Sequence, residues 1–159
     1  MGDQENKGRV SEYWKTFVSS LPDDEEDLPH EYQAWGFGYT PQTADKLGKL
    51  VLNGIKTATS SLAWAYEREA ELYPMVGGYC VILDGSGHPI CIIQTTEVNV
   101  VPFNEVDKDH AYQEGEGDRS LAFWRKVHWK FFTAECESLG IAPNDEMPVV
   151  CEKFKLVFP

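Results

Sequence analysis

The chain has 159 residues and a mass of 18.0 kDa, the length of one domain and enough to bury a core without disulfides or metals. Hydrophobic residues make up 42%, charged residues 25%, and there are 8 Phe, 7 Tyr and 5 Trp, which excludes disorder, collagen and coiled coil as the main state. Fourteen Lys and Arg against 26 Asp and Glu leave a net charge of −12, a field that repels polyanions and excludes a duplex-binding protein.

The excess charge is uneven. Residues 1–31 hold nine acids and three bases, much of it in the run Asp23, Asp24, Glu25, Glu26, Asp27, and the other residues still lack a basic stripe. No run approaches 18 apolar residues and MGDQENKGRV has no apolar signal core, so no membrane association and a cytoplasmic location are expected. Cys80, Cys91, Cys136 and Cys151 lack CxxC spacing and sit in apolar stretches, and His30, His88, His110 and His128 lack ligand spacing. The expectation is reduced core cysteines, no metal and no cofactor.

Val10, Tyr13, Trp14, Phe17, Val18 and Leu21 form one apolar stripe that Pro22 ends, predicting an amphipathic first helix packed, with the acidic loop after it, on the rest of the fold. Trp35, Phe37 and Tyr39 alternate in WGFGY and predict a strand or a core plug. A second helix has Thr40 as N-cap, Pro41 at its first position, Ala44, Leu47, Leu50 and Val51 on one face and Gly54 as its stop. The hydroxyl-rich KTATSS, Lys56 to Ser61, predicts a strand or tight turn. Leu62 to Leu72 fits a helix or ordered loop broken by Pro74.

Gly77-Gly78 opens a hairpin, with strands Tyr79 to Leu83 and Pro89 to Val101 about the turn Asp84-Gly85-Ser86-Gly87. A second strand that long bends across two sheet faces, as in small barrels. The stretch after Pro102 is expected to be irregular through HAYQEGEGD, His110 to Asp118, with its glycines holding Glu114, Glu116 and Asp118 together. Asp118 is expected to cap a third helix bearing Leu121, Trp124, Val127, His128, Phe131 and Phe132 and ending near Gly140, and Pro148 to Phe158 closes the fold as a strand. With no internal repeat and no βαβαβ alternation, the class is α+β with a mixed or antiparallel sheet in a single domain, 1–159.

Two segments carry chemistry. GIKTATS sets one lysine among hydroxyls after a glycine, and EGEGD holds three carboxylates on glycine turns. An uncharged lysine can act as base to a hydroxyl, and a carboxylate can orient it or pass a proton onward. The plainer alternative is a surface lysine, a solvent-facing strand and a capped acidic loop.

GIKTATS resembles the G-x-K-x-x-T signature of the ASCH superfamily, small proteins of the PUA-like type. TTEVNVVPFNEVD, HAYQEGEGDRSLAFWRKVHWKFF and MPVVCEKFKLVF are similar to its longer bacterial branch. The resemblance implies a PUA-like mixed or antiparallel β-barrel flanked by helices, with a ligand pocket at its mouth. A short member is an amidohydrolase that deacetylates 4-acetylcytidine with a Lys and a Thr of this motif and a Glu in a later HA-x-Q-E. Carried over, these are Lys56 as base, Thr59 as nucleophile and Glu114 as proton relay or orienting acid. Another branch is described as ribonuclease, and RNA binding was first proposed for the superfamily.

This chain departs from the short enzymes at Ser61, where they carry an arginine that Arg68 or Arg125 would have to replace. Lys56 and Thr59 also fall on opposite faces of a regular strand, so pairing them requires Lys56 in a turn before the strand, or a bulge. Thr57, Ser61, Trp64, Tyr66, Glu116, Arg125 and His128 complete the candidate ligand-binding set. Trp64 and Tyr66 could stack on a base or pack beneath the loop, and His128 lies on the apolar stripe of the third helix. Three functions follow: an amidohydrolase acting on a modified nucleoside or similar amide, an RNA-binding or RNA-cleaving module, and a small-ligand-binding protein without chemistry. The charge favours a small ligand over RNA as partner.

Overall fold

A computed structural model of the chain describes residues 2–22, 29 and 31–159. The acidic run Asp23 to Asp27 and His30 lie outside the described residues. The elements in chain order are α1 (Gly2–Ser20), β1 (Gln33–Trp35), α2 (Pro41–Leu52), β2 (Ala58–Leu62), α3 (Ala63–Arg68), β3 (Tyr79–Leu83), β4 (Pro89–Pro102), a 3-10 turn (Phe103–Glu105), α4 (Lys108–Glu114), α5 (Leu121–Leu139) and β5 (Pro148–Phe158). The class is α+β. One mixed sheet has the strand order β1-β3-β4-β5-β2, and the chain divides into two compact units, with residues of β4 and of β5 in each.

The first unit takes in residues 1–54, 77–94 and 155–159. Its parallel pair, β1 with β3, sets Ala34 against Val81, and the β3-β4 hairpin pairs Cys80 with Ile93 before a register shift between Ile82 and Leu83. The stripe foreseen on α1 is the buried face. Val10, Trp14 and Phe17 pack on Val81 and Ile92, with Tyr79, Leu83, Val157 and Phe158 around them. Each such side chain contributes about 1.5–3 kcal/mol on burial, which explains why a helix with no other apolar face is held here. The helix runs back to Gly2, well before the stripe begins. α2 follows its punctuation: Thr40 Oγ1 accepts from Thr43 N at 3.1 Å, Pro41 opens the helix, and Gly54 leaves it at φ 72°.

The second unit takes in residues 55–76 and 95–154. β2 lies antiparallel to β5, setting Ala58 opposite Lys153, Thr59 opposite Glu152 and Ser60 opposite Cys151. Leu62, Phe103, Val106, Trp124, Phe132 and Met147 form its core. Two expectations need correction here. His110 to Glu114 are helical, because Asp107 caps α4 by accepting from His110 N at 2.9 Å and Gly115, at φ 73°, closes it. The glycines of EGEGD thus end a helix instead of preventing one. Likewise Ser120, not Asp118, is the N-cap of α5, its Oγ accepting from Phe123 N, while Asp118 Oδ1 accepts from Ser120 N within the preceding turn.

Candidate active site

Lys56 lies in the segment between α2 and β2, two residues before the strand begins. That segment is stitched on both sides: Thr57 N and Oγ1 donate to Gln113 O at 2.7 and 3.4 Å, and Thr57 O accepts from Phe154 N at 3.0 Å. Gly115 makes the close approach possible, since a Cβ there would stand 2.6 Å from Ile55 O. Arg119 clamps the same crossing. Its Nε donates to Tyr112 O at 2.9 Å, its guanidinium reaches Ile55 O at 3.4 Å, and it lies 3.6 Å over the Tyr112 ring.

The result is a lysine 1% exposed. Its Nζ donates to Ala58 O at 2.9 Å, to Glu114 Oε1 at 3.2 Å and to Glu116 Oε2 at 3.1 Å, with Glu114 O at 3.4 Å. Lys56 and Glu114, 58 positions apart in the chain, therefore form a buried ion pair. A charge taken from water costs several kcal/mol unless its bonds are replaced, and here they are.

Glu114 is the hub. Oε1 faces Lys56 and, at 3.5 Å, His128 Nε2. Oε2 accepts from Ser60 Oγ at 2.6 Å and from Trp124 Nε1, and lies 3.2 Å from His110 Nε2. Helical spacing assembles this set: His110 and Glu114 are four apart on α4, Trp124 and His128 four apart on α5. The His128 ring stacks on Trp124 at 4.3 Å, and its Nδ1 donates to Trp124 O at 2.9 Å. Burial alone would raise the Glu114 carboxyl, but Lys56, His128 and the hydrogen bonds of His110 and His128 outweigh it and hold the pKa well below the carboxylate range. Burial alone would lower His128; the Glu114 charge and hydrogen bond outweigh that and raise it. Glu114, Glu116 and His128 offer ligand atoms within 4.8 Å of one another, metal-like spacing, but the cation bonded to both carboxylates is the Lys56 ammonium.

Strand alternation divides the hydroxyls. Ala58, Ser60 and Leu62 face α4 and α5. Ser60 Oγ is 2.7 Å from His110 Nε2 and donates to Glu114 Oε2 at 2.6 Å, so it belongs to the Glu114 cluster. Thr59 and Ser61 face the other way. There Glu152, 5% exposed, lies opposite Thr59 and accepts from Thr95 Oγ1 at 2.6 Å, while Ser61 Oγ meets Tyr66 OH at 2.9 Å. Burial raises the Glu152 pKa against the Thr95 hydrogen bond and the Lys56 charge, and burial, with the charges of Glu152, Glu71 and Glu135, also raises Tyr66 despite its Ser61 hydrogen bond.

The remaining candidates part company. Glu116 joins Lys56, and His128 joins Glu114. Trp64 packs against the core with Leu62 and Phe132. Arg125 is exposed and donates to Asn104 O at 3.2 Å, and Arg68 to Leu139 O at 3.2 Å, so each guanidinium is bonded to a carbonyl away from this group. Ser60, His110, Trp124, Thr95 and Glu152 were not among the sequence candidates; reading HAYQE as helix and β2 as alternating would have found the first two. A cleft of about 320 Å³ walled by Glu97, Glu105, Asp107 and Asp109 reaches His110 and Cys151. It stands on the Ser60 face of the β2-β5 ladder.

The family model for the ASCH domain matches residues 33–158. An ASCH domain from Lactobacillus crispatus JV V101 superposes with a TM-score of 0.91 at 36% identity, over 96% of each chain. Protein EF3133 from Enterococcus faecalis V583 gives 0.84 at 33% identity, over 95% of this chain and 89% of that one. The hypothetical protein PH0355, at 18% identity and a TM-score of 0.53 over 79% of this chain and 99% of that one, shares the fold alone. No curated protein matches. With the model covering most of the chain and two solved relatives above 30% identity, the chain belongs to the ASCH-domain family and has its PUA-like α+β fold.

Proposed function

We propose that the protein hydrolyses a small amide of the acylated-nucleoside kind, with Thr59 as nucleophile, Lys56 beside the developing oxyanion and Glu114 orienting Lys56. One observation carries the reading: a lysine 1% exposed, bonded to Glu114 and Glu116, stands three residues before the Thr59 hydroxyl in the motif. The amidohydrolase resemblance names the same three residues. The geometry favours one assignment of roles. Lys56 has a carboxylate on each side, and the role assigned to its ammonium is electrostatic stabilisation of negative charge. Glu114, with five donors on a carboxylate that has about four lone-pair sites, orients and does not relay.

Ser61 and Tyr66, on the Thr59 face, are the ligand contacts of this reading; Thr57, Glu116 and His128 position the machinery. A neutral nucleoside suits a chain of net charge −12 better than RNA, whose affinity rests on phosphate neutralisation. A cytoplasmic location belongs to the same proposal and is supported by four free cysteines; among the described residues no helix is long and apolar enough to cross a membrane. The test is acetate release from 4-acetylcytidine and related acylated nucleosides. Turnover by the wild type and a loss of at least about a thousand-fold in Thr59→Ala are expected; equal turnover by Thr59→Ala contradicts the nucleophile.

A further inference from the structure

The unit that holds Lys56 buries two glutamates whose surroundings differ as those of acid and base groups do in hydrolases. Glu114 is surrounded by Lys56, Ser60, His110, Trp124 and His128, all turned toward it. Glu152 has Thr95 Oγ1 on one oxygen at 2.6 Å and stands on the Thr59 face, directly across the β2-β5 ladder. Residues opposite one another in an antiparallel pair have Cβ atoms about 4.5–5.5 Å apart, within reach of a glutamate carboxyl for a threonine hydroxyl. A carboxyl 5% exposed in the middle of a strand, flanked by Val150 and Phe154 on its own face, costs stability. Among the described residues it forms no ion pair, and the Lys56 charge acts on it.

We propose that Glu152 is the proton-transferring group of the amide hydrolysis assigned above, the base to Thr59 and then the acid to the leaving nitrogen. The assignment rests on that reading and supplies the group it lacks, because neither Lys56 nor Glu114 can take the proton. Four oxygens surround the Lys56 ammonium, which offers three protons and no lone pair. Glu114 is held ionised by its donors. The Glu152 pKa, raised chiefly by burial, makes its carboxylate the stronger base and brings it closer to the neutral range that suits proton transfer.

The steps balance. Glu152 takes the proton of Thr59 Oγ1 as that oxygen bonds to the amide carbon and the carbonyl electrons move to the oxyanion beside Lys56. As the C–N bond breaks, the Glu152 proton passes to the leaving nitrogen, releasing the amine and leaving an acyl ester on Thr59. Water then gives a proton to Glu152 and adds its oxygen to the acyl carbon. The C–O bond to Thr59 breaks with return of that proton to Oγ1, so one amide and one water become one amine and one carboxylic acid.

The experiment measures kcat and KM against pH for acylated-nucleoside hydrolysis by the wild type, Glu152→Gln and Glu152→Asp, with circular dichroism as the check on folding. Gln keeps the Thr95 hydrogen bond and the shape. The groups acting on Glu152 are the Thr95 hydroxyl and the Lys56 charge, and Glu152 in turn acts on Tyr66; His110 and His128 face Glu114. Glu152→Gln is expected to lower kcat by about 10²–10⁴-fold, to leave KM within about threefold and to lose the acidic limb of the kcat profile, and Glu152→Asp to restore that limb. Turnover by Glu152→Gln within about threefold of the wild type overturns the assignment and leaves amide hydrolysis standing. No turnover by the wild type overturns the amide-hydrolysis reading, and the assignment with it. Should Glu152→Gln fail to fold, Thr95→Val carries the test: about a tenfold lower kcat with a shifted acidic limb supports the role, and an unchanged profile overturns it.

Discussion

Replacing Lys56 with methionine, which keeps the unbranched stem up to the ε position and removes the ammonium, is expected to destabilise the protein by about 3–5 kcal/mol and to abolish turnover. The cost is not the loss of attraction alone. Lys56 Nζ separates Glu114 Oε1 at 3.2 Å from Glu116 Oε2 at 3.1 Å, so its removal leaves two carboxylates facing each other, one of them fully buried. Four donors stay on Glu114, but only His128 can supply a neutralising charge near Oε1. Urea unfolding of Lys56→Met against the wild type reads this, with Lys7→Met as control, because Lys7 and Asp3 form an exposed pair at 3.8 Å of the kind that contributes little. A midpoint for Lys56→Met no lower than that of the control contradicts the buried-pair account.

Glu114→Gln is expected to remove a pH dependence as well as stability. A carboxyl held below its unfolded value contributes stability that is fully present above that value, about 4.3, and is lost as pH falls through the folded value. His128 runs the other way. Raised in the fold, it contributes stability fully present below its unfolded value of about 6.5 and lost as pH rises through the folded value. The wild type should therefore be most stable in mild acid and weaken on both sides. Since Glu114 is what raises His128, Glu114→Gln should flatten both limbs and cost about 3 kcal/mol between them. Thermal melts from pH 3 to 9 measure it, and parallel curves for the two proteins contradict the assignment of both shifts.

What the sequence made legible was what local chemistry decides. Thr40, Pro41 and Gly54 bound α2, the Asp84 to Gly87 turn fixes the β3-β4 hairpin, and Pro148 to Phe158 is the closing strand with those bounds. Each is set within a few residues of itself. Lys56 and Glu114 were legible as candidates through their motifs, while their contact depends on Gly115 lying against Ile55 O, which no spacing reveals. HAYQE was hidden because Gly115 and Gly117 read as breakers along the whole stretch, although a glycine at C′ ends a helix cleanly; that concealed the four-residue spacing of His110 and Glu114. Glu152 was hidden for a different reason. Its place opposite Thr59 follows from the β2-β5 register, set by strands about ninety positions apart, and a single glutamate in an apolar strand carries no motif.

The most direct measurement is a double-mutant cycle on Lys56 and Thr59, using kcat/KM for acetate release from the best acylated nucleoside. If Thr59 attacks and the Lys56 ammonium stabilises the oxyanion that this attack creates, the two act as a unit. Lys56→Ala and Thr59→Ala should each abolish turnover, and the double variant should be little worse than either. Multiplicative losses, or activity surviving in Lys56→Ala, would contradict it.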